Sequence, residues 1–593
     1  MGVKTGRLMA AVVAVSCAWG AVAEPEREAR AERGVAVAGT ERLERAEAAA
    51  RLIGYVRFFH ANDGVFKSDW DALTARVMGE ALRASGPEEL AERLNGTIGK
   101  VAPLVRVYVE GEEAPARVEA TPSDGAEASL VAAWEHVGLR IGVERAGMWY
   151  RSDRKAVSLQ DPRAFERVPD PRTEIDESLG AGVRVAMPVS VLIDTKIRSM
   201  PPGEPYSGEE SAWGYEREEM RLAAAATGWA ALRHFSVVGN ERETDWEGAL
   251  ETVMSLGAGT DAELRRGLRE LAARVGDGQA QVRREGTRLW RVGVSLAWAG
   301  TSVFVERVEG ADGLRIGDEV LEVRGRTIDE AVRLAMPLVA GTTEEARRAR
   351  ALDIVCEGEE GERVSWVVLR EGERVEVETG VVGEAPAGYS VRVLANGVRV
   401  VRVGEAYGDE LIKEMELLAG ARGVVIDARN MDSGVPRALG WMVSDVYQAA
   451  PEWSAVLLLP EWHAVRWRDE TGEVGPMGTR MGGAVAFLTD ARTVGPTEVA
   501  AIVGKDLRQA TLVGERTGGC AGRVIDARLP GGMWLRFTGT RARRYDGSAV
   551  NGVGIEPDVV VERTAEGMRA GRDEALERAV QIVLEKAIGV KRE

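Results

Sequence analysis

Residues 484–522 read AVAFLTDARTVGPTEVAAIVGKDLRQATLVGERTGGCAG. Ala484 to Leu488 is a short apolar run of strand length, and Val494-Gly495-Pro496 supplies the chemistry of a tight turn. Pro496 and Glu498 then suit the first turn of a helix, where a missing N–H costs nothing and a carboxylate meets the positive end of the helix dipole. ATLVGERT returns as a second strand and ends in a glycine-rich loop. Strand, turn, helix, strand and loop in this order form the core of an α/β domain.

The order and spacing resemble the tail-specific (C-terminal processing) serine peptidase family, whose core runs strand, T-x-S-A-S-E, helix, then A-x-L-x-G-E-x-T-x-G-K-G. The likeness is specific at ATLVGERT and at Glu498, and it continues in RYDGSAVNGVGIEPDVVVE from Arg544, which matches the family's D-G-x-x-x-x-G-V-G-I-x-P-D ending. Upstream, ARGVVIDARNMDSG resembles G-x-V-I-D-L-R-x-N-x-G-G, with Asp427, Arg429 and Asn430 in place.

The resemblance fails where its chemistry would sit. Gly495 falls on the nucleophilic serine and Cys520 on the lysine base, so neither the hydroxyl nor the amine that such a mechanism needs is present. In the family, the loop after Asn430 helps build the oxyanion hole. Here Met431, Asp432 and Ser433 occupy it, and an aspartate has the wrong sign to stabilise an oxyanion. Relatives with a histidine base carry it on the strand here spanning Val398 to Val403, which holds Arg399 and Arg402 but no histidine. The sequence therefore reads as a catalytically degenerate homologue. The alternative is an active endopeptidase of envelope proteins with relocated machinery, using Thr493, Thr497 or Cys520 as nucleophile and His463 as base.

From the N-terminus, Lys4 and Arg7 precede an apolar run ending in Ala21-Val22-Ala23, the form of a secretory signal peptide over residues 1–23. The expectation is an exported, periplasmic or extracellular protein without a stable membrane span. Attachment through an uncleaved N-terminus or a lipidated Cys17 stays open. Residues 24–104 and 200–286 carry helical spacing, and both place a phenylalanine ten residues before Asp-Trp: Phe59 with Asp69-Trp70, Phe235 with Asp245-Trp246. This reads as a duplicated helical unit, with residues 200–214 as its linker and a β-rich module at 105–199 between the copies. Trp134, His136, Trp149 and Tyr150 of that module are either sandwich core or the lining of a peptide or carbohydrate groove. The second copy ends in Gly276-Asp277-Gly278-Gln279, where the family often has an H-D-G-H-like turn.

Residues 287–382 resemble a PDZ domain, since GLRIGDEVLEVRG from Gly313 to Gly325 is close to its G-L-x-x-G-D-x-I-L-x-V-x-G signature. That resemblance implies capture of peptide or unfolded-protein C-termini, with Val292, Gly293 and Val294 at the carboxylate loop and Val294 to Trp298 as the pairing edge. Residues 389–590 then form the peptidase-like, ClpP/crotonase-type α/β domain. The fold class expected is multidomain α/β.

A protein of 593 residues with 45% hydrophobic content needs several cores. The net charge of -17, with no basic stripe, argues against nucleic acid. Four histidines, none at metal-ligand spacing, give no metal site, and no cofactor is expected. His60 and His234 fall on apolar helical faces and read as core. Cys356 and Cys520 read as unpaired thiols, with a single bridge between them as the alternative. The oligomeric state is left open.

Overall fold

The computed structural model describes residues 24–117, 130–139, 151–193, 203–383, 390–402, 415–429 and 438–589. The candidate signal peptide, Trp149, Tyr150 and the Asn430–Gly434 turn with Asp432 and Ser433 lie outside these residues. Among the described residues no helix is long and apolar enough to cross a membrane.

Two runs of four helices repeat the same order. The first comprises Glu24–Phe59, Asp63–Lys67, Trp70–Arg83 and Pro87–Ile98; the second comprises Glu218–Phe235, Val237–Glu241, Trp246–Ala258 and Asp261–Val275. In each run the leading helix ends on the phenylalanine of the sequence repeat, and the aspartate before the tryptophan caps the third helix. Asp69 accepts from the Asp71 and Ala72 amides and Asp245 from that of Gly248. The two runs close on one shared core that includes Leu52, Phe59, Leu73, Trp229, Phe235 and Leu268.

The strands of the β-rich segment divide between two sheets. Arg106–Val109, Val183–Pro188 and Glu174–Gly180 form one of three strands. Leu130–Val137 pairs instead with Arg151–Ser158 and Ser190–Ile193 and continues onto Glu452–Leu457, far along the sequence. Trp134 and His136 are both buried there.

Residues 290–383 contain an eight-stranded antiparallel sheet whose edge is Val294–Ala299, with the helix Glu344–Val355 packed beside that edge. Within the signature loop, Gly317 has φ +90°, and a Cβ there would lie 2.8 Å from the Met568 carbonyl oxygen, so only glycine fits. The adjoining Asp318 is buried and paired with Arg370 at 2.6 Å.

The C-terminal sheet runs Ser390–Val393, Val398–Arg402, Gly423–Asp427, Ala484–Thr489, Thr511–Gly514, Val559–Val560, parallel from the second strand onward. Strands covered on both faces read as continuous apolar runs, as VVID and AVAFL do. The helix Gly495–Asp506 buries Ala501 and Ile502 against Ile426, Phe487 and Leu512 on one face. Glu574–Gly589 buries Ala579 and Val583 against Val425, Ala486 and Leu488 on the other. Each fully buried leucine or phenylalanine contributes about 2 kcal/mol to holding these layers together.

A three-stranded sheet, Val524–Leu529, Met533–Thr538 and Gln281–Arg284, ties the end of the second helical run to this domain. That pairing delivers the Gly276–Gln279 turn to the helix that starts at Gly495.

Candidate functional site

Gly495 and Cys520, named from the sequence as the nucleophile and base positions, come together. The Gly495 amide donates to the Cys520 carbonyl at 2.7 Å and the Gly518 amide to the Thr493 carbonyl at 2.9 Å, so the glycine-rich loop is laced to the helix start. Glu498, one turn into the helix, is fully buried and binds the same loop from within. It accepts from the Thr517 hydroxyl, from the Gly519 amide at 2.8 Å and from the Cys520 amide at 2.7 Å. Burial pushes its carboxyl up to about 7 in spite of these three donors, each of which favours the charged form.

The turn at Gly276–Gln279 closes the site. The preceding helix starts with a Thr260/Glu263 capping box and ends at Gly276 in the left-handed conformation, φ +70°. Asp277 follows, buried, and its two oxygens accept from the Gln279 amide at 2.9 Å, the Thr538 hydroxyl at 2.8 Å, the Thr538 amide at 2.5 Å and the Cys520 thiol at 3.2 Å. The Gln279 side chain donates to the Thr538 hydroxyl at 2.8 Å and to the Gly522 carbonyl at 3.2 Å.

Gln279 stands where a side chain on residue 495 would go. A Cβ built on Gly495 lies 2.2 Å from Gln279 Oε1, and Gly495 has φ +65°, a conformation that residues bearing a side chain rarely adopt. Nor is the Cys520 thiol set up as a base or nucleophile. Burial, followed by the Asp277 charge, raises it well above the ordinary thiol range, so it is held protonated.

The other named candidates are dispersed. Thr493 is buried and donates to the Ala428 carbonyl at 2.8 Å, Thr497 is buried within the helix, and His463 is exposed on the short turn Trp462–Ala464. His60, His136 and His234 are buried, as their apolar setting implied for His60 and His234. Cys356 and Cys520 are free and buried. At the proposed carboxylate loop, the Val292 amide donates to the Cys356 carbonyl and the Gly293 carbonyl accepts from the Glu309 amide. Val294 opens the edge strand.

Two residues that sequence reasoning passed over matter here. Gln279 is one, although its turn had been singled out. Arg492 is the other: its guanidinium reaches from the loop before Gly495 to the Leu296 carbonyl on the edge strand and the Ala349 carbonyl on the adjoining helix, both at 3.0 Å, and to Asp353 at 3.3 Å. Nothing in the local sequence marks either contact.

A cavity opens at the carboxyl ends of the parallel strands and includes Asp427, Asp490 and Arg492. Neither Gly495 nor Cys520 lines it.

Residues 398–561 match the model of peptidase family S41. No curated protein matches this sequence. Among solved structures, mature CPAF complexed with lactacystin is 12% identical, with 63% of this protein and 99% of that one covered and a TM-score of 0.49. The photosystem II D1 C-terminal processing protease is 16% identical, with 62% and 98% covered and a TM-score of 0.39. A putative peptidase from Parabacteroides merdae is 15% identical, with 61% and 96% covered and a TM-score of 0.37. Residues 398–561 thus match a peptidase S41 domain.

Proposed function

We propose that this protein is an exported, catalytically silent member of the family that binds peptide or unfolded-protein C-termini through the PDZ-like unit at residues 287–382. The observation that carries the loss of catalysis is the 2.2 Å approach of Gln279 Oε1 to the Cβ position of residue 495. A serine there needs both space and a base; the space is filled by a hydrogen-bonded amide, and the neighbour at 520 is a protonated thiol. Peptide binding is supported by the geometry of Val294–Ala299, an edge strand with a helix alongside, whose Leu296 carbonyl faces away from the sheet and is held by Arg492 until a strand is added. Export rests on the form of residues 1–23.

Incubation of the mature protein with an unfolded protein and a fluorophosphonate or thiol-reactive probe tests the reading. Neither cleavage nor serine labelling is expected. Cleavage abolished by Cys520→Ala or Thr497→Ala would overturn it in favour of relocated machinery.

A further inference from the structure

A cavity of about 340 Å³ lies at the carboxyl ends of Val398–Arg402, Gly423–Asp427, Ala484–Thr489 and Thr511–Gly514. It is bounded on one side by Glu306, Arg307 and Ile316 of the eight-stranded sheet unit and on another by the first turn of Glu574–Gly589. In open α/β sheets this crevice is where ligands bind.

Charge decides what this one would take. Its acidic residues are committed to neighbours: Asp427 and Asp573 grip Arg429, while Glu306, Asp490 and Glu515 all pair with Arg563. Glu574 holds the amide and hydroxyl of Thr564.

On the basic side Arg402 meets Glu309, Arg492 meets Asp353 and Arg572 meets Glu577, besides the pairs of Arg429 and Arg563. Arg392 and Arg402 share one face of their paired strands, because Arg392 stands opposite Val400 and Arg402 lies two residues further on. Arg307 reaches the same cavity from the neighbouring sheet. Its charge helps hold Glu306 and Asp427 ionised. Among the described residues its Nε has no acceptor although it is buried, an orphan donor of the kind that folded proteins rarely leave.

Among the described residues two of the seven arginines that line the cavity, Arg307 and Arg392, have no ion-pair partner. One carboxylate can lie across these two, whereas a dianion would also face Glu306 and Asp427. Guanidinium forks match the two oxygens of a carboxylate. Beside them Val400, Leu488, Val561 and Leu576 make an apolar lining.

We propose that this cavity binds a monoanionic carboxylate carrying a short apolar tail, with Arg307 and Arg392 taking the charge and the Val400–Leu488–Val561–Leu576 patch the tail. This site shares Arg492 with the Val294–Ala299 edge but does not depend on peptide binding there. The carboxylate could come from the last residue of a peptide or from a free branched acid.

The test titrates the full-length protein with acetyl-Ala-Leu, its C-terminal amide, 4-methylpentanoate and inorganic phosphate, all too short to add as a strand. The two acids should saturate with a Kd of about 1 mM or tighter, and the amide should bind about tenfold more weakly or worse. Arg392→Gln removes an exposed guanidinium and should weaken acid binding about tenfold without lowering the melting temperature; Arg307→Gln should do the same to binding. Tighter binding of the dipeptide assigns the source to peptide C-termini, and tighter binding of the free acid assigns it to small carboxylates. The proposal is overturned by absence of saturation, by equal binding of acid and amide, by phosphate binding as tightly as the acids, or by indifference to both substitutions.

Discussion

Replacing Gly495 with serine puts a hydroxyl where the proposed reading places the family's nucleophile, and the geometry sets its cost. Holding a non-glycine residue at φ +65° costs about 1 kcal/mol. The new Cβ, 2.2 Å from Gln279 Oε1, forces that amide away from Thr538 and Gly522. Overpacking of this kind costs about 1–3 kcal/mol with the lost hydrogen bonds included. The sum is about 3 kcal/mol, which lowers the melting temperature by roughly 10 °C for a domain of this size. Chemical denaturation of wild type, Gly495→Ser, Gln279→Gly and the double variant separates the two causes. Gln279→Gly should remove the clash but leave the dihedral strain, giving a coupling energy of about 2 kcal/mol between sites that are distant in sequence and adjacent in space. A Gly495→Ser protein as stable as wild type, or one whose loss is indifferent to Gln279, would refute the claim that Gln279 fills the nucleophile's place.

Adding Cys520→Lys to Gly495→Ser should yield no hydrolysis of an unfolded substrate, because an amine at residue 520 would face Asp277, now 3.2 Å from the thiol, and be held protonated; robust turnover would refute this. Arg492→Ala frees the Leu296 carbonyl and should tighten binding of peptides with free C-termini several-fold, whereas equal affinity for free and amidated peptides would sink the groove reading itself. Burial holds His60, His136 and His234 at about 3, 4 and 3, below the unfolded value near 6.5, so the unfolded protein takes up protons that the folded one refuses. Their stability is therefore full above about pH 6.5 and is lost as pH falls, by roughly 2 kcal/mol per histidine between pH 7 and 5; denaturation at both pH values should show His60→Leu flattening this dependence, and an unchanged slope in that variant would refute it. Glu498→Ala strands the Thr517 hydroxyl and two backbone amides and should cost roughly 3–5 kcal/mol, measurable as lost soluble yield and a lowered denaturation midpoint.

Periodicity and turn chemistry exposed what is local. The strand–turn–helix at 484–506 and the repeated Asp-Trp helix starts were legible because each is set by neighbours within one or two turns. Partnership was not legible. The alternating runs between 105 and 199 gave strands without saying that Leu130–Val137 would pair with Glu452–Leu457, since alternation fixes a strand's faces and not its neighbour. The same limit hid Gln279 and Arg492, whose contacts join a helix end to a helix start and one sheet edge to another domain's loop. Burial of His136 beside Phe59 and Phe235 likewise came from packing between distant segments.

Which family motifs this protein keeps follows from what they hold. Thr517 of GERT donates to Glu498 and accepts from the Ile555 amide at 2.7 Å, so one hydroxyl joins the helix, the loop and the GVGIEPD segment. Asp558 of the same segment accepts from the Leu512 amide at 2.9 Å and pairs with Lys505 at 3.3 Å. Loss of any of these leaves buried groups without partners. On the proposed reading a nucleophile and its base carry no such burden: Gly495 and Cys520 stand at the positions the resemblance gives to them, closed over by Gln279, Asp277 and Thr538. The motifs that make the sequence recognisable are thus the ones the scaffold needs, and they can outlast the residues that only the chemistry needs. In this protein the likeness at GERT, Glu498 and GVGIEPD reports on the packing of the domain, while residues 279, 495 and 520 are where the proposed loss of catalysis is tested.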